Sequence, residues 1–237
     1  MAAEDEMHDH SHPDVTGGWL RPAVFGPMDG LVSNAALIVG VAAGTSDGTG
    51  SAVVLAGLAG LAAGAFSMAV GEYASVASQG EAARREIARE RAEIVENPDG
   101  ETAELAGMLM ARGVDAETAQ RAAAQVHDDI DNAVQIHSIA ELGVDPNDIA
   151  SPVVAAVSSF VSFCVGALVP LLPYLLGLDL LWIAIALTLL ALFGCGAAVT
   201  RVTSRPWWYG GLRQVLLGGA AFAITYGIGA LVGAALV

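Results

Sequence analysis

Long apolar runs dominate this chain, and its polar residues gather between them rather than alternating with them. The first run covers about 23–43 and the second runs from Ser51 to about Ser78. Three more follow at about 153–177, 179–199 and 212–236. Each is long enough to cross a hydrocarbon core about 30 Å thick, which takes about 20 residues of helix. The predicted fold class is therefore all-α, a polytopic membrane protein with five transmembrane helices. The first run is expected to start irregularly, because Gly26-Pro27 cannot make a regular helix interior. In the second run, Gly57, Gly60 and Gly64 offer places where membrane helices can approach closely.

Between the second and third runs the pattern changes. Residues 81–149 are predicted to form a soluble module of three helices inserted between spans. Its first helix continues the second span without a breaker until Asn97-Pro98. On such a rod Met68 and Glu90 stand about 33 Å apart at 1.5 Å per residue. Asn97 suits an N-cap and Pro98 the first position of the second helix, which ends near Arg112 with Gly113 behind it. Asp115 opens a third helix expected over 116–142, closed by Gly143. The predicted division is a tail over 1–18, two spans over 19–80, the module over 81–149 and three spans over 150–237.

Composition agrees with a membrane protein. Of 237 residues 54% are hydrophobic and 15% charged, with a mean hydropathy of +0.58, which is too apolar for an ordinary soluble domain. The net charge of −15 is confined to the water-exposed segments, since 81–149 hold sixteen of the twenty-five acids and 1–18 hold five. The exceptions are Asp29, Asp47, Glu72 and Asp179. An acidic exterior excludes nucleic acid as a partner, because it repels phosphate. Cys164 and Cys195 each sit inside an apolar run and read as packing thiols rather than a disulfide pair. The tail lacks a basic region ahead of an apolar core, so no cleavable signal peptide is expected. His8, His10 and His12 alternate within that tail; they suit either loose metal chelation or a solvated segment without a duty.

Arginine supplies the orientation. The chain has no Lys and ten Arg. Five crossings put Arg21, the 81–149 module and the connection around 200–212 on one side, and every Arg lies in or directly beside these segments. The positive-inside rule places that side, with the N-terminus and the module, in the cytoplasm and the C-terminus opposite.

Several side chains carry chemistry. Met68 and Glu72 are four residues apart and share a helix face. A carboxylate at membrane depth is costly and is a functional candidate by default. Asp29 lies near the same end of the preceding span. Two acids and a thioether suit a borderline divalent metal, although Glu72 could simply snorkel to the interface and Met68 simply pack. In the module Glu86, Glu90 and Glu93 recur at helical spacing, Glu101 and Glu104 repeat the step, and Met108 follows four residues on. His137 and Glu141 form an i, i+4 pair. Spacing alone leaves two readings open: a metal site, or a solvated face with ion pairs to Arg84, Arg85, Arg89 and Arg91.

The order DG in the first span, SMAVGEYASVASQ over 67–79 and then a Glu/Arg helix ending in NP resembles the vacuolar iron transporter family. The likeness extends over the whole five-span layout. It implies a homodimer that exports ferrous iron, and in some members manganese, from the cytosol in exchange for protons. It further implies Asp29 and Met68 as ligands on the translocation path, with Glu72 beside them. In the module it implies Glu90, Glu93, Glu101, Glu104 and Glu141 as carboxylate ligands. Some relatives carry methionine just before that last Glu, where this chain has His137-Ser138; imidazole also binds ferrous iron, so binding is expected to persist with an altered preference. Plant nodulin-like relatives lack the module, so its presence favours the iron-transporting branch.

The expected mechanism has the module gather Fe2+ or Mn2+ at the cytosolic mouth, the ion pass to Met68 and Asp29, and protonation of Asp29 or Glu72 from the far side release it. No prosthetic group is expected. The membrane would be the plasma membrane in a prokaryote and the vacuolar one in a eukaryote. A membrane-anchored metal sensor or buffer is the rival reading, which the intramembrane acids disfavour. A di-iron enzyme is set aside because the module contains no Glu-x-x-His of the ferritin type.

Overall fold

The computed structural model describes residues 20–45, 50–203 and 205–236, and all regular elements among them are helices. In chain order these are α1 (Leu20–Gly44), α2 (Gly50–Glu96), α3 (Pro98–Ala111), α4 (Ala116–His127), α5 (Ile130–His137), α6 (Pro152–Leu175), α7 (Leu181–Thr203) and α8 (Trp207–Leu236). A single π turn, Ser138–Leu142, extends α5. The histidines of the tail, His8, His10 and His12, lie outside the described residues. Five helices are long and apolar enough to cross a membrane, namely α1, α2, α6, α7 and α8. The chain separates into two compact units, Met1–Tyr73 with Val153–Val237, and Ala74–Pro152.

In the first unit, α1 is the central helix. Leu31, Ala35, Ala36 and Val39 pack against Leu192 of α7 and Phe222 of α8. Ile38 reaches Val53 of α2, Leu171 and Tyr174 of α6 and Ala184 of α7. Contact is backbone to backbone where glycines meet: a Cβ on Gly229 would run into the Gly40 carbonyl, and one on Gly166 into the Pro27 carbonyl. Such close approach lets dispersion and weak polar contacts hold membrane helices together. The irregular start expected at Gly26-Pro27 is not found, since α1 runs through Pro27 from Leu20. A neighbour makes this tolerable: Ser162 of α6 donates to the Pro22 carbonyl at 2.9 Å, in the turn that precedes the proline. Hydroxyl bonds of this kind let proline persist inside membrane helices.

The second unit begins with the charged end of α2. This helix has 47 residues, about 70 Å at 1.5 Å per residue, more than twice what a bilayer core needs. Asn97 ends it and caps α3, its side chain accepting from Gly100 N at 3.2 Å. Leu105 and Ala106 of α3 pack on Ala119 and Ala123 of α4, while Ile94 of α2 packs on Ala133 and Val134 of α5. The single helix expected over 116–142 is broken at Asp128-Asp129. Asp129 turns away from helical geometry and accepts from Asp131 N at 2.9 Å, so a fresh N-terminus starts there. Arg91 of α2 ties to Asp131 across this break.

Candidate functional site

Two sets of side chains bearing oxygen, nitrogen or sulfur donors stand in the described residues, one in each unit. The set in the second unit is built on His137, which closes α5 and is fully buried. Its Nδ1 lies 2.8 Å from Glu141 Oε1, 3.0 Å from Glu90 Oε1 and 3.9 Å from Glu101 Oε2. Glu141 is brought there by the π turn, where Gly143 at φ 67° returns its N–H to the Ser138 carbonyl. π turns of this sort are enriched at functional sites. Ligand atoms of Glu90, Glu101 and His137 all lie within 4.8 Å of one another.

The arithmetic of donors is unfavourable without a cation. One ring nitrogen carries at most one proton, and the aligned hydrogen bond goes to Glu141. Glu90 Oε1 is then buried with no hydrogen-bond partner, and so is His137 Nε2. Burial first, and then the neighbouring Glu141, Glu101 and Glu93, raise the Glu90 carboxyl above its ordinary value, with His137 acting against them. Glu101 is raised in the same way, by burial and then by Glu104, again opposed by His137. Crowded carboxylates of raised pKa around an imidazole are a donor set that a divalent cation satisfies.

The remaining residues expected in the module fall around this core. Glu93 binds Arg89 at 3.1 Å on the surface, and Glu86 lies 4.0 Å from the same Arg. The solvated ion-pair reading thus holds for Glu86 and describes one partner of Glu93. Glu104 is exposed on α3 one turn after Glu101, and Met108 is half-buried a turn further on. His127 was not foreseen. Its ring meets His137 edge to face at 5.1 Å, its Nδ1 bonds the Ala123 carbonyl at 2.8 Å, and its Nε2 is buried without a partner.

In the first unit, a cavity of about 280 Å³ lies among α1, α2 and α6. Asp29, Ser33 and Asn34 of α1 line it together with Ser67 and Met68 of α2. Met68 also packs on the Ala65, Phe163 and Ala167 cluster. Asp29, Ser33 and Ser67 are exposed, so the cavity is open along one side. Gly60 and Gly64 face it, and a Cβ on either would meet Leu37 or the Phe163 ring. Glu72 is half-buried and does not line this cavity. Asn34 was passed over as a site residue in the sequence, yet it is buried on this wall. A lone amide in an apolar run was the available signal.

Fold and sites define a class: a five-helix membrane protein with carboxylate, thioether and imidazole donors gathered both among its apolar helices and in a charged helical unit. The chain belongs to the VIT family, whose profile matches residues 20–230. It is 39% identical over 228 residues to a vacuolar iron transporter of Acanthamoeba castellanii, covering 91% of this chain and 79% of that protein. It is 29% identical over 231 residues to vacuolar iron transporter 1 of Oryza sativa subsp. japonica, covering 96% and 91%. To vacuolar iron transporter homolog 1 of the same plant it is 34% identical over 215 residues, covering 89% and 72%.

Proposed function

We propose that this protein carries divalent metal across a membrane, with ferrous iron as the main cargo, manganese as a second, and protons moving the opposite way. The observation that carries the reading is the cavity lined by Asp29 and Met68 among apolar helices. A carboxylate there supplies charge and a thioether supplies softness, a pairing suited to borderline divalent ions. The names of the relatives, vacuolar iron transporters, point the same way.

The Glu90–Glu101–His137–Glu141 cluster is the collecting site, with Glu93, Glu104 and Met108 as outer donors. The distribution of Arg supports a cytosolic position for this site, and a collecting site on that side suits export from the cytosol. Because carboxylates ligate only when ionised, protons entering the cavity from the far side compete with the metal for Asp29 and release it. Glu72, off the cavity wall, is a further carboxylate on the path whose protonation weakens metal binding in the same way. The open side of the cavity is where a second copy of the chain completes the path in a homodimer.

Anaerobic Fe2+ uptake into proteoliposomes tests the assignment. Asp29→Ala and Met68→Ala are each expected to slow uptake by about tenfold or more, the scale of losing one good ligand contact. Wild-type rates in both variants would remove the cavity from the path.

A further inference from the structure

Asn34 occupies a position that an apolar residue would fill at no cost, so its amide needs a reason. It is 2% exposed, in the interior of α1. Its Nδ2 donates to the Ala167 carbonyl of α6 at 2.7 Å. That bond fixes which end is which, because the atom beside a carbonyl oxygen at this distance has to be the donor. The amide oxygen is thereby turned away from α6. It is buried and has no hydrogen-bond partner in the protein, and Asn34 lines the cavity with Asp29 and Met68. Opposite it stands Gly60, where a Cβ would come within 3.0 Å of that oxygen. The oxygen is therefore held by one bond, cleared by one glycine and left unsatisfied in an apolar surrounding, where an unpaired polar atom is costly.

We propose that Asn34 Oδ1 is a neutral oxygen ligand for a divalent cation in this cavity, which the Asp29 carboxylate and the Met68 thioether also line. The proposal rests on the cavity being the ion path. Its chemistry is specific. An amide oxygen is a hard donor that favours Mn2+ and Fe2+, whereas thioether sulfur favours softer ions such as Co2+ and Cd2+. Asn34 adds this preference without adding charge, so the site carries one carboxylate and can still let a dication go. The cavity also leaves room for part of the ion's water shell, each water taking about 30 Å³.

The experiment is concentration-dependent uptake of Mn2+, Fe2+ and Co2+ into proteoliposomes by the full-length chain. The variants are Asn34→Leu, Gly60→Ala, Met68→Leu and Asp29→Ala, each first checked for monodisperse elution and a wild-type thermal transition. Asn34→Leu keeps the volume and removes the oxygen. It is expected to raise the KM for Mn2+ by about tenfold or more and that for Co2+ by clearly less. Met68→Leu is expected to give the reverse order, which a general packing defect would not. Gly60→Ala covers the oxygen while leaving the Ala167 bond in place, so it keeps the test open if Asn34→Leu fails to fold. It is expected to reproduce the Mn2+-first loss. An unchanged Mn2+ to Co2+ ratio in Asn34→Leu, or an equal loss of all three ions in Gly60→Ala, overturns the assignment. Inactive Asp29→Ala alongside wild-type Asn34→Leu removes Asn34 alone. Wild-type transport by Asp29→Ala removes the ion path and Asn34 with it.

Discussion

One imidazole nitrogen faces three carboxylates at His137, an imbalance that a divalent cation bound there would relieve. Without metal, Glu90 and Glu101 have raised pKa values in the folded protein, above the ordinary glutamate value of 4.5. The folded state then binds more protons than the unfolded state over that window, so stability falls as pH rises through it. The metal-free protein in detergent is expected to melt at a lower temperature at neutral pH than just above 4.5, and Mn2+ is expected to restore the loss at neutral pH only. The paired change Glu90→Gln and Glu101→Gln should flatten both the pH trend and the Mn2+ response. A metal response that survives in this double variant would place the bound ion elsewhere. Binding should also release protons, because ligands must be deprotonated to coordinate. His137→Ala is expected to weaken Mn2+ binding by about 10- to 100-fold in calorimetry, and an unchanged affinity would make the imidazole a packing residue.

Helix α2 and the glycine contacts of α1 set what each element can do. Substituting Gly166 forces a methyl group against the Pro27 carbonyl, and backbone cannot move aside as a side-chain tip can. Overpacking of this kind costs about 1–3 kcal/mol, so Gly166→Ala should lower the thermal transition of the detergent-solubilised protein. An unchanged transition would show α1 and α6 able to separate. The five membrane helices were legible because hydropathy alone reports them, and their ends were less so. Helix α8 starts at Trp207, five residues ahead of the expected 212, because Pro206 opens it and interface aromatics carry the first turn. The break at Asp128-Asp129 was illegible for a related reason: no Gly or Pro marks it, and an aspartate cap does the work. Within the site, the His137–Glu141 pair was readable from its spacing. That Glu90 would join it depends on α2 packing on α5 through Ile94 and Val134, which no local pattern encodes.

At the scale of the molecule, the chain divides into an apolar unit with a cavity and a charged unit with a buried donor cluster, and α2 contributes to both. A buffer or sensor needs the cluster alone. The cost of Asp29 and Asn34 among apolar helices is understandable for a protein that lets an ion through. The charge of −15 also fits a collecting role, since an acidic surface raises the local concentration of cations. The most direct test is metal-driven proton movement in sealed proteoliposomes under anaerobic conditions, comparing Fe2+, Mn2+, Zn2+ and Ca2+. Fe2+ and Mn2+ are expected to accumulate with time while protons move in the opposite direction, and Asp29→Ala is expected to abolish both. Metal that binds in a fixed ratio to protein, with neither accumulation nor proton movement, would contradict it.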